Sequence, residues 1–439
     1  MKKNIQDSDW FYTFLKYFVD WSVKSSYRKY QVEGLENIPD DGYMIWTSNH
    51  TNALMDPMVM LSATKGRKVF VARADIFKKN WARKALYFLR VMPIYRIRDG
   101  IKAVKHNDES IAQATGVVLD GVPFVIFPEA THRPKHSLLK LSKGVFHIAE
   151  SVIANRKDDR PVYIQPIGIE YSDYFRFRGN VLVKFGKPFN ISQYMAEHSD
   201  EPEPVVLLKL REVLSKKMAD EIVYIPDDED YDAIWEYAKL KADNPEYYAK
   251  TLKAIEASNG SKLKGLLKIQ AVDKYAVAEA LALREKDPDA ARELFKKVDE
   301  QRLWRIQNGI SVRSIADEPS GMKLLFKTLI ALIGAPLYFI AGLLSLIKWV
   351  PIILALRNVK DDAFYNTARY GVRLGLAIPA LAIWAVVYYL LFDWMIATAL
   401  LLLSLPSLKF LYDYGMFFRR YCSDVRWKVR RKRAPERVL

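Results

Sequence analysis

Tyr43-Met44-Ile45-Trp46-Thr47-Ser48-Asn49-His50-Thr51-Asn52-Ala53-Leu54-Met55-Asp56-Pro57 is the stretch from which the fold is read. Residues 43–47 form a short apolar run that reads as a strand. Asp56–Ala63 reads as the start of a helix, and Pro57 suits a first helical position. Polar residues, Ser48 to Asn52, fill the junction where the strand ends.

The alternation continues outward from this stretch. Lys68–Ala72 reads as a strand and Trp81–Val91 as an amphipathic helix. Phe124–Phe127 is a buried strand, Lys143–Ile153 a helix, and Val162–Gly168 and Val181–Phe185 further strands. Strand–helix alternation predicts an α/β domain over 32–200, a mostly parallel sheet flanked by helices. Residues 201–320 open with Pro202 and Pro204 and read as a helical region, including Val205–Ile222. Asn244–Arg313, rich in Ala, Lys, Leu and Glu, shows no repeat period.

Residues 321–412 carry the membrane signal. Leu324–Ile347 is uncharged except for Lys327, and Leu374–Phe392 is uncharged and about the ~20 residues that a spanning helix needs. Trp394–Leu408 follows, with Asp393 at the expected turn of a hairpin. Met322–Leu356 is short for two full spans, so a re-entrant or tilted hairpin broken near Pro336 or Pro351 is expected. Transmembrane helices near the C-terminus therefore complete the expected fold.

Met1–Asn4 is followed by charges at Asp7, Asp9, Lys16, Asp20 and Lys24, so no cleaved signal peptide is expected. Within 1–31, the spacing 11, 14, 15, 18 places Phe11, Phe14, Leu15 and Phe18 on one helical face. Such a helix suits the plane of a membrane interface, or packs on the soluble domain.

The chain has 439 residues, half of them hydrophobic, which is enough for a packed core. A single cysteine, Cys422, excludes a disulfide framework and a Cys-based zinc site. The formal net charge is +16. From Gly415 onward nine Lys/Arg stand against two Asp/Glu, a net of +7 in one tail. That tail, 413–439, directly follows a hydrophobic span. Anionic lipid head groups explain it better than nucleic acid, so no nucleic-acid partner is expected. Basic residues in the loop Arg357–Arg373 and in the tail predict an integral membrane protein whose catalytic domain and C-terminal tail are cytoplasmic.

Four segments carry the chemistry. In the first, His50 follows a strand end, where open α/β sheets bind ligands. An imidazole is a natural general base near neutral pH, and a carboxylate on its second nitrogen would fix the tautomer. Asp56 is the candidate. Six helical positions are a rotation of about 600°, so the two meet only if a turn intervenes. Otherwise Asp56 simply caps the helix begun at Pro57. In the second, Met92–Arg98, Arg96 and Arg98 share one face if extended and can hold a phosphate, or are solvated surface residues. The third, Phe127-Pro128-Glu129-Ala130-Thr131-His132-Arg133, again follows a strand, as a polar substrate site or an ordinary loop. The fourth, Ile164–Ile169, is a buried strand whose Pro166 and Gly168 allow close backbone approach. The other histidines read as surface or packed side chains.

In this order and spacing the four segments resemble the glycerolipid acyltransferase family, the lysophosphatidic acid acyltransferase-like enzymes, over Val32–Ile191. The family's first motif is Asn-His, four residues, Asp. Its second ends in Arg, its third is Phe-Pro-Glu-Gly followed by Thr/Ser and Arg, and its fourth is a Pro-containing strand. Two departures stand out: five residues separate His50 from Asp56, and Ala130 replaces the glycine. The longer His-x5-Asp spacing looks like the fungal-type glycerol-3-phosphate/dihydroxyacetone-phosphate acyltransferases and their bacterial relatives. Those also carry an Asp-Tyr segment, as Asp230-Tyr231-Asp232 does here, and C-terminal hydrophobic spans.

The resemblance implies an O-acyltransferase of phospholipid synthesis. His50, oriented by Asp56, removes a proton from a hydroxyl of glycerol 3-phosphate, and the oxygen attacks the thioester of acyl-CoA or acyl-carrier protein. It places Asn49, Arg96, Glu129, Thr131, His132 and Arg133 at the acceptor. It implies no cofactor beyond the acyl thioester, and no metal is expected, since no His or acidic cluster has ligand spacing. The acceptor 1-acylglycerol 3-phosphate is the alternative. A non-catalytic lipid-binding scaffold is a second alternative, kept open by Ala130.

Overall fold

The structure, a computed structural model, describes residues 4–95 and 101–436. It divides into two compact units, Met1–Phe175 with Gly179–Ile222, and Arg176–Arg178 with Val223–Leu439.

Among its described residues the first unit has eight strands: β1 (Lys29–Glu33), β2 (Tyr43–Ser48), β3 (Val69–Arg73), β4 (Val91–Ile94), β5 (Phe124–Ile126), β6 (Val162–Tyr171), β7 (Asn180–Phe185) and β8 (Phe189–Asn190). Their order in the sheet is β1-β7-β6-β2-β5-β3-β4, with β8 beside β6. Every pairing is parallel except β6 with β7 and β6 with β8. All six residues of β2 are buried, as befits a central strand covered on both faces.

Side chains alternate across the sheet. Tyr43 and Ile45 join the cluster formed with α4 (Ile101–Leu119), α5 (Gly144–Asn155) and α7 (Glu203–Ala219). Trp46, one step on, points the other way and meets the Phe185 ring at 5.2 Å. On β6, Gly168 lets the Glu221 backbone approach, because a Cβ there would lie 2.5 Å from the Glu221 carbonyl oxygen. Leu207, Leu210, Leu214 and Met218 of α7 are buried in the same core, so this unit runs on to Ile222.

Helix α1 (Trp10–Ser26) packs on α2 (Met55–Ala63), and α2 packs on β7. Its buried positions are Tyr12, Lys16, Val19, Ser22, Val23 and Ser26. The Lys16 ammonium donates to Asp20 and to the Thr64 carbonyl at the end of α2. Its aromatic side points out: Trp10, Phe14, Tyr17 and Trp21 are 65–81 % exposed. Of the face expected from spacing, Phe11 and Phe14 are exposed and Leu15 and Phe18 half-buried. Helix α3 (Asn80–Phe88) has no buried residue, and Phe88 lies 5.8 Å from Phe11. Helix α6 (Ile191–Glu197) follows β8 and is capped by Asn190.

The second unit begins with five helices, α8 (Tyr231–Ala242), α9 (Pro245–Asn259), α10 (Leu266–Lys286), α11 (Pro288–Gln307) and α12 (Val312–Ala316). Ile234 and Ala238 of α8, Ala276, Val277 and Ala280 of α10, and Phe295 and Val298 of α11 form its core. Then come α13 (Gly321–Leu344), α14 (Leu346–Arg357), α15 (Tyr365–Gly375), α16 (Ala377–Leu391) and α17 (Trp394–Arg430).

Among the described residues, Gly321–Leu344 and Trp394–Arg433 are long and apolar enough to cross a membrane. The 24 residues of α13 extend about 36 Å at ~1.5 Å per residue, longer than a bilayer's hydrocarbon core. Asp362–Gly375 and Ala377–Leu391, bent by 48°, make a third span if read together. The break expected near Pro336 or Pro351 falls at Ser345 instead, and both prolines lie inside helices. The Ser345 N–H and hydroxyl both donate to the Ala341 carbonyl, which closes α13.

Helices α13 and α17 run antiparallel. Lys327 pairs with Asp424 at 2.6 Å, and the Tyr414 hydroxyl donates to the Ala331 carbonyl. The basic tail continues α17 as helix. Trp427 is buried with Leu240, Ile310 and Ile315, and Arg426 and Arg430 donate to Gly309 and Asn308.

Candidate active site

β2 is flanked by β5 on one side and β6 on the other, all parallel over their pairing. Loops leaving the carboxyl ends of β2 and β5 therefore emerge side by side, and β6 runs on past the end of β2.

Between β2 and α2 the chain turns at Asn52–Met55, where the Met55 N–H meets the Asn52 carbonyl at 2.8 Å and Ala53 adopts φ 40°. This turn returns Asp56 to His50. The His50 Nδ1 lies 2.8 Å from the Asp56 Oδ2. The same oxygen accepts the N–H groups of Thr51 and Asn52, each at 2.7 Å. The other oxygen, Oδ1, accepts the Tyr171 hydroxyl at 2.7 Å. Asp56 thus binds residues upstream of its helix, while the N-cap of α2 is Leu54, with no side-chain cap. The Asp56 side chain is wholly buried, and that of His50 is 18 % exposed. With Nδ1 on a carboxylate, the geometry assigns the ring proton to Nδ1 and leaves Nε2 as the basic nitrogen.

The β5 loop supports His50 from the other side. The imidazole stacks on Phe127, centroids 4.6 Å apart, and the His132 ring meets its edge at 5.6 Å. The His50 N–H donates to the Glu129 Oε1, and its carbonyl accepts the Arg133 N–H. The Glu129 Oε2 accepts the Leu139 N–H at 2.8 Å. Burial raises the Glu129 carboxyl above its ordinary value, against the pull of these two backbone donors and of His50. Ala130 sits at φ 58°, a left-handed conformation that favours glycine.

The other expected site residues take varied places. Asn49 is buried, and its amide is engaged on both sides by the backbone of Ile169, so it ties β2 to β6. Both oxygens of Glu129 are likewise taken by backbone donors. Thr131 is exposed, and Arg133 donates to the Ser137 hydroxyl at 2.8 Å. His132 stands beside His50. Arg96 and Arg98 lie outside the described residues. Tyr171 and Phe127 touch the His50–Asp56 pair and escaped sequence reasoning as site residues. Strand alternation from Ile167 and Ile169 puts Tyr171 on their face, but a phenol at that position reads equally well as packing.

Among the described residues, one group has atoms spaced to hold a metal ion, His147, Glu150 and Glu203, with ligand atoms within 4.8 Å. His147 and Glu150 pair at 3.0 Å on α5, and Glu203 is exposed at the start of α7. None of the three belongs to the loops around His50.

A protein-family model described as Acyltransferase matches residues 29–170. No curated protein matches the chain. Among solved structures, the 1-acyl-sn-glycerophosphate (LPA) acyltransferase PlsC from Thermotoga maritima is similar, with 21% identity over 48% of this chain and 80% of that one, at a TM-score of 0.35. The segment similar to the acyltransferase model, residues 29–170, contains His50, Asp56 and Glu129.

Proposed function

We propose that this protein is a membrane-anchored O-acyltransferase that moves a fatty acyl group from a thioester donor, acyl-CoA or acyl-carrier protein, to a hydroxyl of glycerol 3-phosphate. The observation that carries this reading is the 2.8 Å contact between His50 and Asp56 at the carboxyl edge of the sheet, within the segment that matches the acyltransferase model.

In this reading the His50 Nε2 takes the proton of the acceptor hydroxyl as its oxygen attacks the thioester carbonyl. The tetrahedral intermediate collapses to an ester, the carbon–sulfur bond breaks, and the thiolate leaves with the proton held by His50. The buried Asp56 carboxylate orients the ring and faces the positive charge that develops on it. No enzyme nucleophile is needed, since the acceptor hydroxyl plays that part. The step uses the acyl thioester as co-substrate and no further cofactor.

The His132 ring lies beside His50 and the Arg133 N–H donates to the His50 carbonyl; with Arg96 and Thr131, both are assigned in this reading to the acceptor's glycerol-phosphate head. Asn49 and Glu129 shape the site through the backbones they hold. The His-x5-Asp spacing and Asp230-Tyr231-Asp232 support the fungal-type subgroup and, with it, glycerol 3-phosphate over 1-acylglycerol 3-phosphate. The spans and the exposed aromatic side of α1 suit a bilayer with anionic head groups. The basic residues of the loop Arg357–Arg373 and of the tail support a reading in which the domain and the tail are cytoplasmic.

The test uses membranes carrying wild type or His50→Ala, labelled acyl donor, and either acceptor. His50-dependent label in lysophosphatidic acid supports the assignment. Label in phosphatidic acid instead selects the second acceptor. Without His50-dependent transfer to either, the reading fails.

A further inference from the structure

We propose that Tyr171 is a positioning residue for the His50–Asp56 pair, its phenol fixing the carboxylate oxygen that the histidine does not use. This rests on the acyltransferase reading above, and it adds a residue that none of the four sequence segments contains.

Two oxygens of one buried carboxylate have different work. Oδ2 carries His50 and the two backbone N–H groups of the turn. Oδ1 carries the Tyr171 hydroxyl at 2.7 Å. A carboxylate held only at Oδ2 keeps a torsional freedom that would swing that oxygen off the imidazole. A donor fixed at Oδ1 removes it. Tyr171 is well placed to be rigid. It ends β6, where its backbone is paired with Val181 of β7. Two residues earlier, Ile169 is clamped by Asn49, the neighbour of His50. Its ring lies 6.1 Å from those of both Tyr27 and Tyr174. Burial first, and then the Asp56 charge, push the phenol well above its ordinary value, so it remains a donor wherever the enzyme works.

The hydroxyl also sets how strongly Asp56 holds the protonated imidazole. By drawing charge toward Oδ1 it weakens the grip of Oδ2 on the imidazolium. Its removal strengthens that grip, which is the change a pH profile of the reaction reads. Among the described residues, the other titratable groups around the pair and Tyr171 are Glu129 and His132 from the β5 loop, and Tyr27 and Tyr174 beside Tyr171. They are unchanged by a substitution at 171.

The experiment measures kcat and KM for the donor and the acceptor against pH, with the full chain in detergent or membranes. Tyr171→Phe should lower kcat roughly fivefold with KM little changed. It should also move the acid limb of kcat/KM up by about 0.5 pH unit. A purely structural role would reduce the amount of active protein and leave that limb in place. If Tyr171→Phe does not fold, 3,5-difluorotyrosine at 171 keeps the ring and makes the phenol a stronger donor, and the limb should then move down. Limbs matching wild type overturn the proposal. His50→Ala, run alongside, separates the two failures. Full activity there removes the acyltransferase reading itself, whereas loss there with an unchanged limb at 171 removes only the role of Tyr171.

Discussion

The side-chain amide of Asn49 and the backbone of Ile169 exchange two hydrogen bonds, Nδ2 to the carbonyl at 2.9 Å and the N–H to Oδ1 at 2.8 Å. The residue before the candidate base is thereby tied to the strand that ends in Tyr171. All of these groups are buried, so water cannot replace a lost partner.

Asn49→Ala should therefore destabilise the first unit by about 1–3 kcal/mol, the cost of leaving a buried donor and acceptor unmet. Asn49→Asp should do no better, because the acceptor survives but the donor to the Ile169 carbonyl is lost. Thermal unfolding of the purified full chain, followed by circular dichroism, checks both. Equal midpoints for wild type and Asn49→Ala would contradict the clamp.

Ala130 carries a Cβ at φ 58°. Ala130→Gly should relieve that conformation and stabilise by about 0.5–1 kcal/mol, net of the extra freedom of glycine in the unfolded chain. Transfer activity should persist, since the turn keeps its Ala130 N–H to Phe127 carbonyl bond. Unfolding midpoints and a single-time-point acyl-transfer assay test the pair of expectations.

Lys68 is fully buried, its ammonium against the Leu61 and Thr64 carbonyls at the end of α2. Burial first, then Lys16, lower it from the ordinary lysine value to about 7, with Asp20 opposing. The unfolded chain then binds more protons than the folded one between about pH 7 and pH 10, so stability should rise with pH across that window. Lys68→Met should flatten that slope. Unfolding midpoints of both proteins at several pH values decide it, and parallel slopes would refute the assignment.

Lys327 and Asp424 join α13 to α17, and Asp424 also accepts the Ser314 hydroxyl at 2.7 Å. Asp424→Ala should cost roughly 1–3 kcal/mol, since it leaves a cation half-buried without its carboxylate. Combining it with Lys327→Met should recover part of the loss. A double-mutant cycle on detergent-solubilised protein measures the coupling.

Much of the α/β domain was legible because hydrophobic period is local. Each strand from Tyr43 to Phe185 that was read from its apolar run appears within a few residues of its expected bounds. β1, at Lys29–Glu33, was not read, because Lys-Tyr-Gln-Val-Glu has no apolar run of its own and becomes a strand only by pairing with β7. The turn at Ser345 was missed for a related reason. Prolines are the visible punctuation in α13 and α14, but a helix tolerates them here, and a serine bonding back to Ala341 ends α13.

Sequence by itself determined most elements of the domain, the apolar spans, and which residues could bear a proton. Those follow from composition and from spacings of two and 3.6 residues. Whether His50 reaches Asp56 was open, because six helical positions would part them. It was decided by the turn at Ala53, which takes a left-handed φ of 40°. Likewise only tertiary structure gave Asn49 and Glu129 to backbone partners and brought Tyr171, 115 residues away, to the second oxygen of Asp56. Hydrogen-bond partners across a sheet depend on strand order, and strand order is a long-range property that no local pattern records.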